Sequence, residues 1–255
     1  MKQVYLDNAA TTPVRLEVEV AMRPYFCEKY GNPSGAYQMS SENRGMIENV
    51  REQIAKTLNA SAEEIYFTSG GTESNNMAII GTAMANKRKG NKIITTSVEH
   101  SSVLATMKYL EEQGFEVIYL PVDRYGVVQM EALEKEMTED TILVSTMYVN
   151  NEVGAIEPVG EIGQYIKKVN PSVVYHVDAI QAFGKLEIKP RRDNIDLLTV
   201  SGHKIHGPKG SGFIYIKKNT KINPIIFGGG QQMGFRSGTE NVPGIAGIGQ
   251  ASKDC

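Results

Sequence analysis

Val173-Val174-Tyr175-His176-Val177-Asp178 and, after a polar stretch, Leu197-Leu198-Thr199-Val200-Ser201-Gly202-His203-Lys204 are short apolar runs that end on polar groups. Runs of this length, rich in Val and Leu and lacking polar alternation, read as strands covered on both faces, the kind that parallel sheets use. Working outward, the strand-like runs are 64–67, 92–96, 116–120, 141–147, 173–177 and 197–200. Segments of helical period lie at 41–58, 73–89, 101–113, 130–137 and 158–169, bounded by Gly, Pro, Asn or Ser. Strand and helix in alternation predict an α/β fold with a mostly parallel sheet flanked by helices. Residues 212–216, with the segment before Gly228, read as an antiparallel edge, and 244–253 as a closing helix.

Composition narrows the function classes. The 255 residues carry 27 Lys plus Arg against 29 Asp plus Glu, net charge -2, without long runs of one sign. Neither a nucleic-acid footprint nor a membrane-surface patch is expected. The N-terminus has no apolar leader and no stretch is apolar for long enough to span a bilayer, so a cytoplasmic protein is the expectation. The two cysteines, Cys27 and Cys255, lack paired spacing and predict reduced thiols, Cys27 being read as a structural one. His203 and His206 stand three apart, but without further metal-ligating residues around them no metal is expected.

In open α/β sheets ligands gather beyond the carboxyl ends of the strands. Here those ends read Thr68-Ser69-Gly70-Gly71-Thr72, Glu99-His100, Asn150-Asn151-Glu152, Asp178 with Gln181, and Ser201-Gly202-His203-Lys204. Gly70-Gly71-Thr72 at a helix start offers free N–H groups to an anion such as phosphate, or is a plain N-cap. Asp178, at the top of an apolar run, needs a positive charge, which a protonated pyridine nitrogen would supply; a helix cap is the alternative. Lys204 lies in a turn where partial burial near other cations is expected to lower its pKa and free the amine for imine formation, or it is an ordinary loop lysine. His100 reads either as a flat ring that stacks on an aromatic cofactor and moves protons or as a helix cap.

Five blocks in order make a resemblance specific. They are 5–13 (Tyr-Leu-Asp-Asn-Ala-Ala-Thr-Thr-Pro), 67–76 (Phe-Thr-Ser-Gly-Gly-Thr-Glu-Ser-Asn-Asn), 175–181 (Tyr-His-Val-Asp-Ala-Ile-Gln), 201–210 (Ser-Gly-His-Lys-Ile-His-Gly-Pro-Lys-Gly) and 236–242 (Arg-Ser-Gly-Thr-Glu-Asn-Val). The chain resembles class V aminotransferase-like enzymes of fold type I, and among them cysteine desulfurases of the NifS/IscS type. The resemblance implies pyridoxal 5′-phosphate held as a Schiff base on Lys204, with Asp178 on the ring nitrogen and His100 stacked on the ring. It implies Asn151 and Gln181 beside the cofactor, Gln181 at the phenolate oxygen, and the phosphate on Gly71, Thr72, Ser201 and His203. Thr239 is implied to reach the phosphate of a neighbouring subunit, hence a homodimer. The implied reaction converts L-cysteine to L-alanine with Lys204 and His100 as proton carriers. Its sulfur passes to a protein cysteine as a persulfide and on to an iron–sulfur scaffold or thio-cofactor acceptor.

The family's persulfide cysteine and substrate-carboxylate arginine lie well beyond the Arg-Ser-Gly-Thr motif, and this sequence stops soon after it. Cys255 aligns with no catalytic position of the family. The expectation is a truncated desulfurase of impaired activity: residues 1–15 belong with a small domain that is largely missing, and 16–255 form the cofactor-binding large domain. Val4, Tyr5 and Leu6 should then lose part of their cover. A non-catalytic cofactor-binding, dimerising module is the alternative, as is a sister enzyme such as a selenocysteine lyase or an aminotransferase.

Overall fold

The computed structural model describes residues 4–255, so Met1–Gln3 of the expected N-terminal segment lie outside the described residues, as does the Asp254 side chain. Helices α1 (Leu16–Met22), α2 (Pro24–Cys27) and α3 (Gln38–Thr57) precede strand β1 (Ile65–Thr68). There follow α4 (Gly71–Asn86), β2 (Lys92–Thr96), α5 (Ser101–Glu112), β3 (Glu116–Leu120), α6 (Met130–Glu136), β4 (Thr141–Met147) and α7 (Val159–Val169). Strands β5 (Val174–Asp178), β6 (Leu197–Ser201) and β7 (Gly212–Ile216) and helix α8 (Val242–Ala251) complete the chain.

The seven strands form one sheet in the order β1-β7-β6-β5-β4-β2-β3. Only β7 runs against its neighbours, pairing antiparallel with both β1 and β6. This corrects the expected edge: β7 lies inside the sheet, and the segment before Gly228 contributes no strand to it, only an isolated parallel bridge from Ile226 to Arg236. The edges are β1 and β3; all five residues of the interior β7 are covered, whereas β3 keeps Glu116 and Tyr119 exposed.

Side-chain alternation splits the core in two. Tyr175, Val177, Leu198, Val200, Phe213 and Tyr215 face a cluster with Ile54 of α3, Ile162 of α7 and Ile248 of α8. Val174, Leu197, Ile214 and Ile216 face the other way, onto Ala78 and Ile79 of α4 and Met107 of α5. On that second face the pattern is broken by buried polar side chains, Ser145, His176 and Thr199, which bond one to the next, Thr199 in turn to Asn75 of α4.

Helices α1 and α2 were not anticipated. Leu16-Glu17-Val18-Glu19-Val20 alternates like a strand, but only Val18 is buried, in the core cluster that also holds Ile245 and Ile248 of α8. Val4, Tyr5 and Leu6 are 69%, 51% and 83% exposed, as expected for apolar residues without a cover. From Thr11 onward the same segment is tied down: Thr12 N–H and Oγ1 both donate to the His203 carbonyl, at 3.0 and 2.8 Å, and His206 N–H donates to Thr12 Oγ1 at 2.8 Å.

Candidate active site

Because β1, β2, β4, β5 and β6 run the same way, their carboxyl ends share one edge, and the polar groups that follow them line a single cavity of about 410 Å3. That volume lies within the range of small-molecule sites. Gly71, Thr72, His100, Asn151, Asp178, Gln181, Ser201, His203 and Lys204 all face it. Thr239 does not: it is exposed, away from this chain's cavity.

Asp178 ends β5 at only 5% exposure, and burial pushes its carboxyl above the usual range. Oδ1 accepts from Ile180 N–H at 3.0 Å and Oδ2 from Asn75 Nδ2 at 2.8 Å. Its charge is met only at longer range by His100 and Lys204. A buried carboxylate so placed favours a cation delivered into the cavity.

Lys204 sits in the 3₁₀ turn Gly202–Lys204 directly after β6. Its ammonium donates to the carbonyls of Ala9 and, at 2.8 Å, Ala10, while Gln181 Nε2 also donates to Ala9 O at 2.9 Å. Burial holds the Lys204 pKa below the ordinary lysine value. The expected help from other cations is not what acts here: Asp7 and Asp178 pull the pKa upward, and desolvation prevails over both.

Gly71 opens α4, so the first N–H groups of a 16-residue helix point toward the cavity with the positive end of its dipole. Gly70 has φ +146, a conformation that glycine alone adopts readily, and a Cβ on Gly71 would fall 2.1 Å from Ile180 Cδ1. Across the gap, His203 Nδ1 lies 3.0 Å from Thr11 Oγ1; burial, then the charges of Lys204 and Lys209, hold its pKa below the usual histidine value. Arg236 clamps the start of α4, its guanidinium donating to Glu73 at 2.8 and 3.1 Å, with Ser69 on the same carboxylate.

His100 is the N-cap of α5, so the capping reading holds: Nδ1 accepts from Ser102 N–H at 3.1 Å. The ring also lines the cavity, so capping does not remove it from the site. The turn that carries it is pinned by Glu99, whose Oε1 accepts from Thr96 Oγ1 at 2.7 Å and Met147 N–H at 2.8 Å. Glu99 is fully desolvated, and its pKa is pushed up to about 8. Asn151 donates to Glu152 at 2.6 Å beside the cavity mouth.

Neither thiol joins this group. Cys27 and Cys255 are both exposed, which gives the reading of Cys27 as a structural thiol no support from burial, and neither lines the cavity. No group of metal-ligating side chains is found among the described residues, and no described helix is long and apolar enough to cross a membrane. Sequence reasoning gave no role to Asn75, Ser102 or the Ala9 and Ala10 carbonyls. Asn75 follows Gly71 by four, the spacing that shares a helix face, and this was the available signal.

The donor set fits pyridoxal 5′-phosphate. A helix N-terminus with Ser201 and a partly buried imidazole suits a phosphate, Asp178 suits a cationic ring nitrogen, and Lys204 supplies an amine of lowered basicity.

Comparison with known proteins agrees with this geometry. Residues 4–253 match the family described as Aminotransferase class-V. The chain is 52% identical over 252 residues to cysteine desulfurase IscS of Methanosarcina thermophila, covering 99% of this chain and 62% of that protein. It is 48% identical to a putative cysteine desulfurase, IscS 1, of Bacillus subtilis, covering 66% of it. A solved NifS-like protein superposes with TM-score 0.97 at 48% identity, covering 99% of this chain and 69% of the other, and SspA in complex with cysteine superposes with TM-score 0.95 at 40% identity, covering 98% and 72%. The chain therefore spans less than two thirds of the length of the curated relatives it matches, 62% for the first of them. With a family match over nearly all its residues and an almost superimposable NifS-like fold, the chain belongs to the class V aminotransferase family, on its branch of NifS-like proteins and IscS cysteine desulfurases.

Proposed function

We propose that this chain is the cofactor-binding part of a pyridoxal 5′-phosphate-dependent cysteine desulfurase, taking L-cysteine to L-alanine and passing the sulfur to a protein thiol. The observation that carries the reading is a desolvated Asp178 carboxylate in the same cavity as a lysine of lowered pKa and the open N-terminus of α4. When bound, the cofactor supplies an aldehyde that takes up amines and a cationic ring that draws electrons from an adjacent carbon.

The chain's own residues do the rest. Gly71, Thr72, Ser201 and His203 hold the phosphate, and Asp178 keeps the ring nitrogen charged. Asn151 and Gln181 orient the ring's remaining edge, with Gln181 facing the phenolate oxygen. Lys204 Nζ would anchor the cofactor's aldehyde, and its amine of lowered basicity would take up and return protons in the cavity. His100, which lines the same cavity, would stack on the ring and carry protons there. Thr239, exposed on this chain, reaches the phosphate held by a second copy in a homodimer. Because neither Cys27 nor Cys255 lines the cavity, these residues alone bind cofactor and substrate without ordinary desulfurase turnover. The same reading assigns residues 1–15 to a small domain and 16–255 to the large one, supported by the exposure of Val4, Tyr5 and Leu6. A cytoplasmic protein that hands sulfur to an iron–sulfur scaffold or thio-cofactor acceptor completes it.

Titration with pyridoxal phosphate, borohydride reduction and peptide mass mapping test the assignment. The expected result is a single reduced adduct on Lys204 that Lys204→Ala abolishes while the fold survives, since the lysine is a turn residue. An adduct that persists in the variant overturns the site. Alanine released from L-cysteine by the loaded full-length protein tests the substrate; pyruvate or a transaminated product instead would replace it with a sister activity.

A further inference from the structure

A continuous hydrogen-bonded chain runs beneath the cavity floor and ends on His100, and its donors and acceptors can be assigned one by one. Ser145 Oγ lies 2.8 Å from His176 Nδ1, and His176 Nε2 lies 3.3 Å from Thr199 Oγ1. Thr199 Oγ1 donates to Asn75 Oδ1 at 2.6 Å. Asn75 Nδ2 has two hydrogens and gives one to Asp178 Oδ2 at 2.8 Å and the other to Ser102 Oγ at 2.9 Å. Ser102 Oγ then lies 2.8 Å from His100 Nδ1, the same nitrogen that caps α5.

The amide orientation follows from chemistry. An ionised carboxylate only accepts, so the nitrogen of Asn75 must face Asp178 and its oxygen must face Thr199. The Thr199 hydroxyl, having given its proton to Asn75, accepts from His176, whose neutral ring therefore carries its proton on Nε2. Burial lowers the His176 pKa to about 3, so no charge enters from that end. At the other end, Ser102 Oγ has accepted from Asn75 and its own proton is free for His100 Nδ1. With the Ser102 N–H also directed there, Nδ1 is held as an acceptor by two donors. The proton of a neutral His100 ring is thus on Nε2, the nitrogen that has no hydrogen-bond partner among the described residues.

We infer that Asn75 is a positioning residue that couples the Asp178 carboxylate to the tautomer of His100, so that His100 presents an N–H donor, not a lone pair, to whatever occupies the cavity. The inference rests on the proposed cofactor reading only in taking Asp178 as ionised. Within that reading it divides the polar work: Lys204 is the group that removes a proton, and the Nε2–H of His100 is the donor that shares one in a hydrogen bond.

The test uses the protein labelled with 15N-histidine, free and loaded with pyridoxal phosphate, above the pH range in which histidine titrates. Long-range proton–nitrogen spectra, assigned by His100→Gln, should show His100 protonated on Nε2 and bare on Nδ1. In Ser102→Ala, Nδ1 keeps only its backbone donor and the two tautomers should mix. In Asn75→Ala the same mixing should appear together with about tenfold weaker cofactor binding, because Asp178 loses a charge-assisted hydrogen bond as well. A merely structural asparagine would leave the tautomer unmoved in any variant that stays folded. If Asn75→Ala does not fold, Ser102→Ala alone decides. A His100 proton on Nδ1 in the parent protein, or an unmixed tautomer in Ser102→Ala, overturns the inference. Failure of the parent to take up pyridoxal phosphate overturns the cofactor reading instead, and leaves the tautomer of the free protein to be read on its own.

Discussion

At Lys204 two influences of opposite sign meet. Removal from water favours the neutral amine, while Asp7 and Asp178 favour the ammonium, and the balance lies below the ordinary lysine value. An amine must be neutral to attack an aldehyde, so adduct formation should rise with pH and reach half its maximum below the pH at which a free lysine side chain titrates. Asp7→Asn removes one of the influences that raise the pKa and leaves the Asp178 partner of the ring intact. The expected outcome is a pH–rate profile for pyridoxal phosphate capture displaced further toward low pH, measured by stopped-flow absorbance. A profile that moves upward, or not at all, would show that Asp7 does not act on the lysine.

Elements of this fold were legible to the extent that burial wrote itself into local pattern. Strands β2 and β4 coincide with the runs at 92–96 and 141–147, every residue of which is buried, and β3 with the run at 116–120, although at the sheet edge it leaves Glu116 and Tyr119 exposed. Helix starts were less legible: α3 begins at Gln38, with Tyr37 as an N-cap that makes no side-chain hydrogen bond, so the reading that waited for serine placed it late. The antiparallel position of β7 was not readable, since nothing local tells an interior reversed strand from an edge. Of the site, the residues that end strands were legible, whereas the Asn75 bridge to Thr199 and Asp178 joins residues more than 100 apart and leaves no local trace. The start of α4 allows a test at this scale. In Gly71→Ala the new Cβ meets the tip of Ile180, which can turn away into the cavity at about 1 kcal/mol for an off-rotamer side chain. Alanine returns about as much by stiffening the helix start. Stability should therefore change little, while Ile180 intrudes on the cofactor's space and pyridoxal phosphate binding weakens by about tenfold or more. A large loss of thermal stability with unchanged affinity would mean that Ile180 cannot move and that the glycine serves packing alone.

Across the whole molecule, the buried groups under the site set how stability depends on pH, because two of them titrate far from their unfolded values in opposite senses. Glu99 keeps its proton in the folded protein up to about pH 8 but releases it near 4.5 when unfolded. Between those values the native state binds more protons than the unfolded one, so stability falls as pH rises. His176 is the reverse: unfolded it takes a proton near 6.5, folded only near 3, so its contribution is complete above 6.5 and is lost as pH falls toward 3. From 4.5 to 6.5 the two slopes cancel. Above that window only the carboxyl side acts, with a limit of about 1.4 kcal/mol per pH unit for one proton. Denaturant melts of the free protein across this range should show a plateau flanked by two declining arms. Glu99→Gln should lower the alkaline slope by up to about 1.4 kcal/mol per pH unit and, with nothing left to cancel the His176 slope, extend the acid arm up to about pH 6.5, since glutamine keeps an oxygen for Thr96 and the Met147 N–H without a titrating proton. An alkaline arm as steep in the variant as in the parent would mean that Glu99 is already ionised in the fold, and that the turn bearing His100 is held by a charge rather than by a neutral acid.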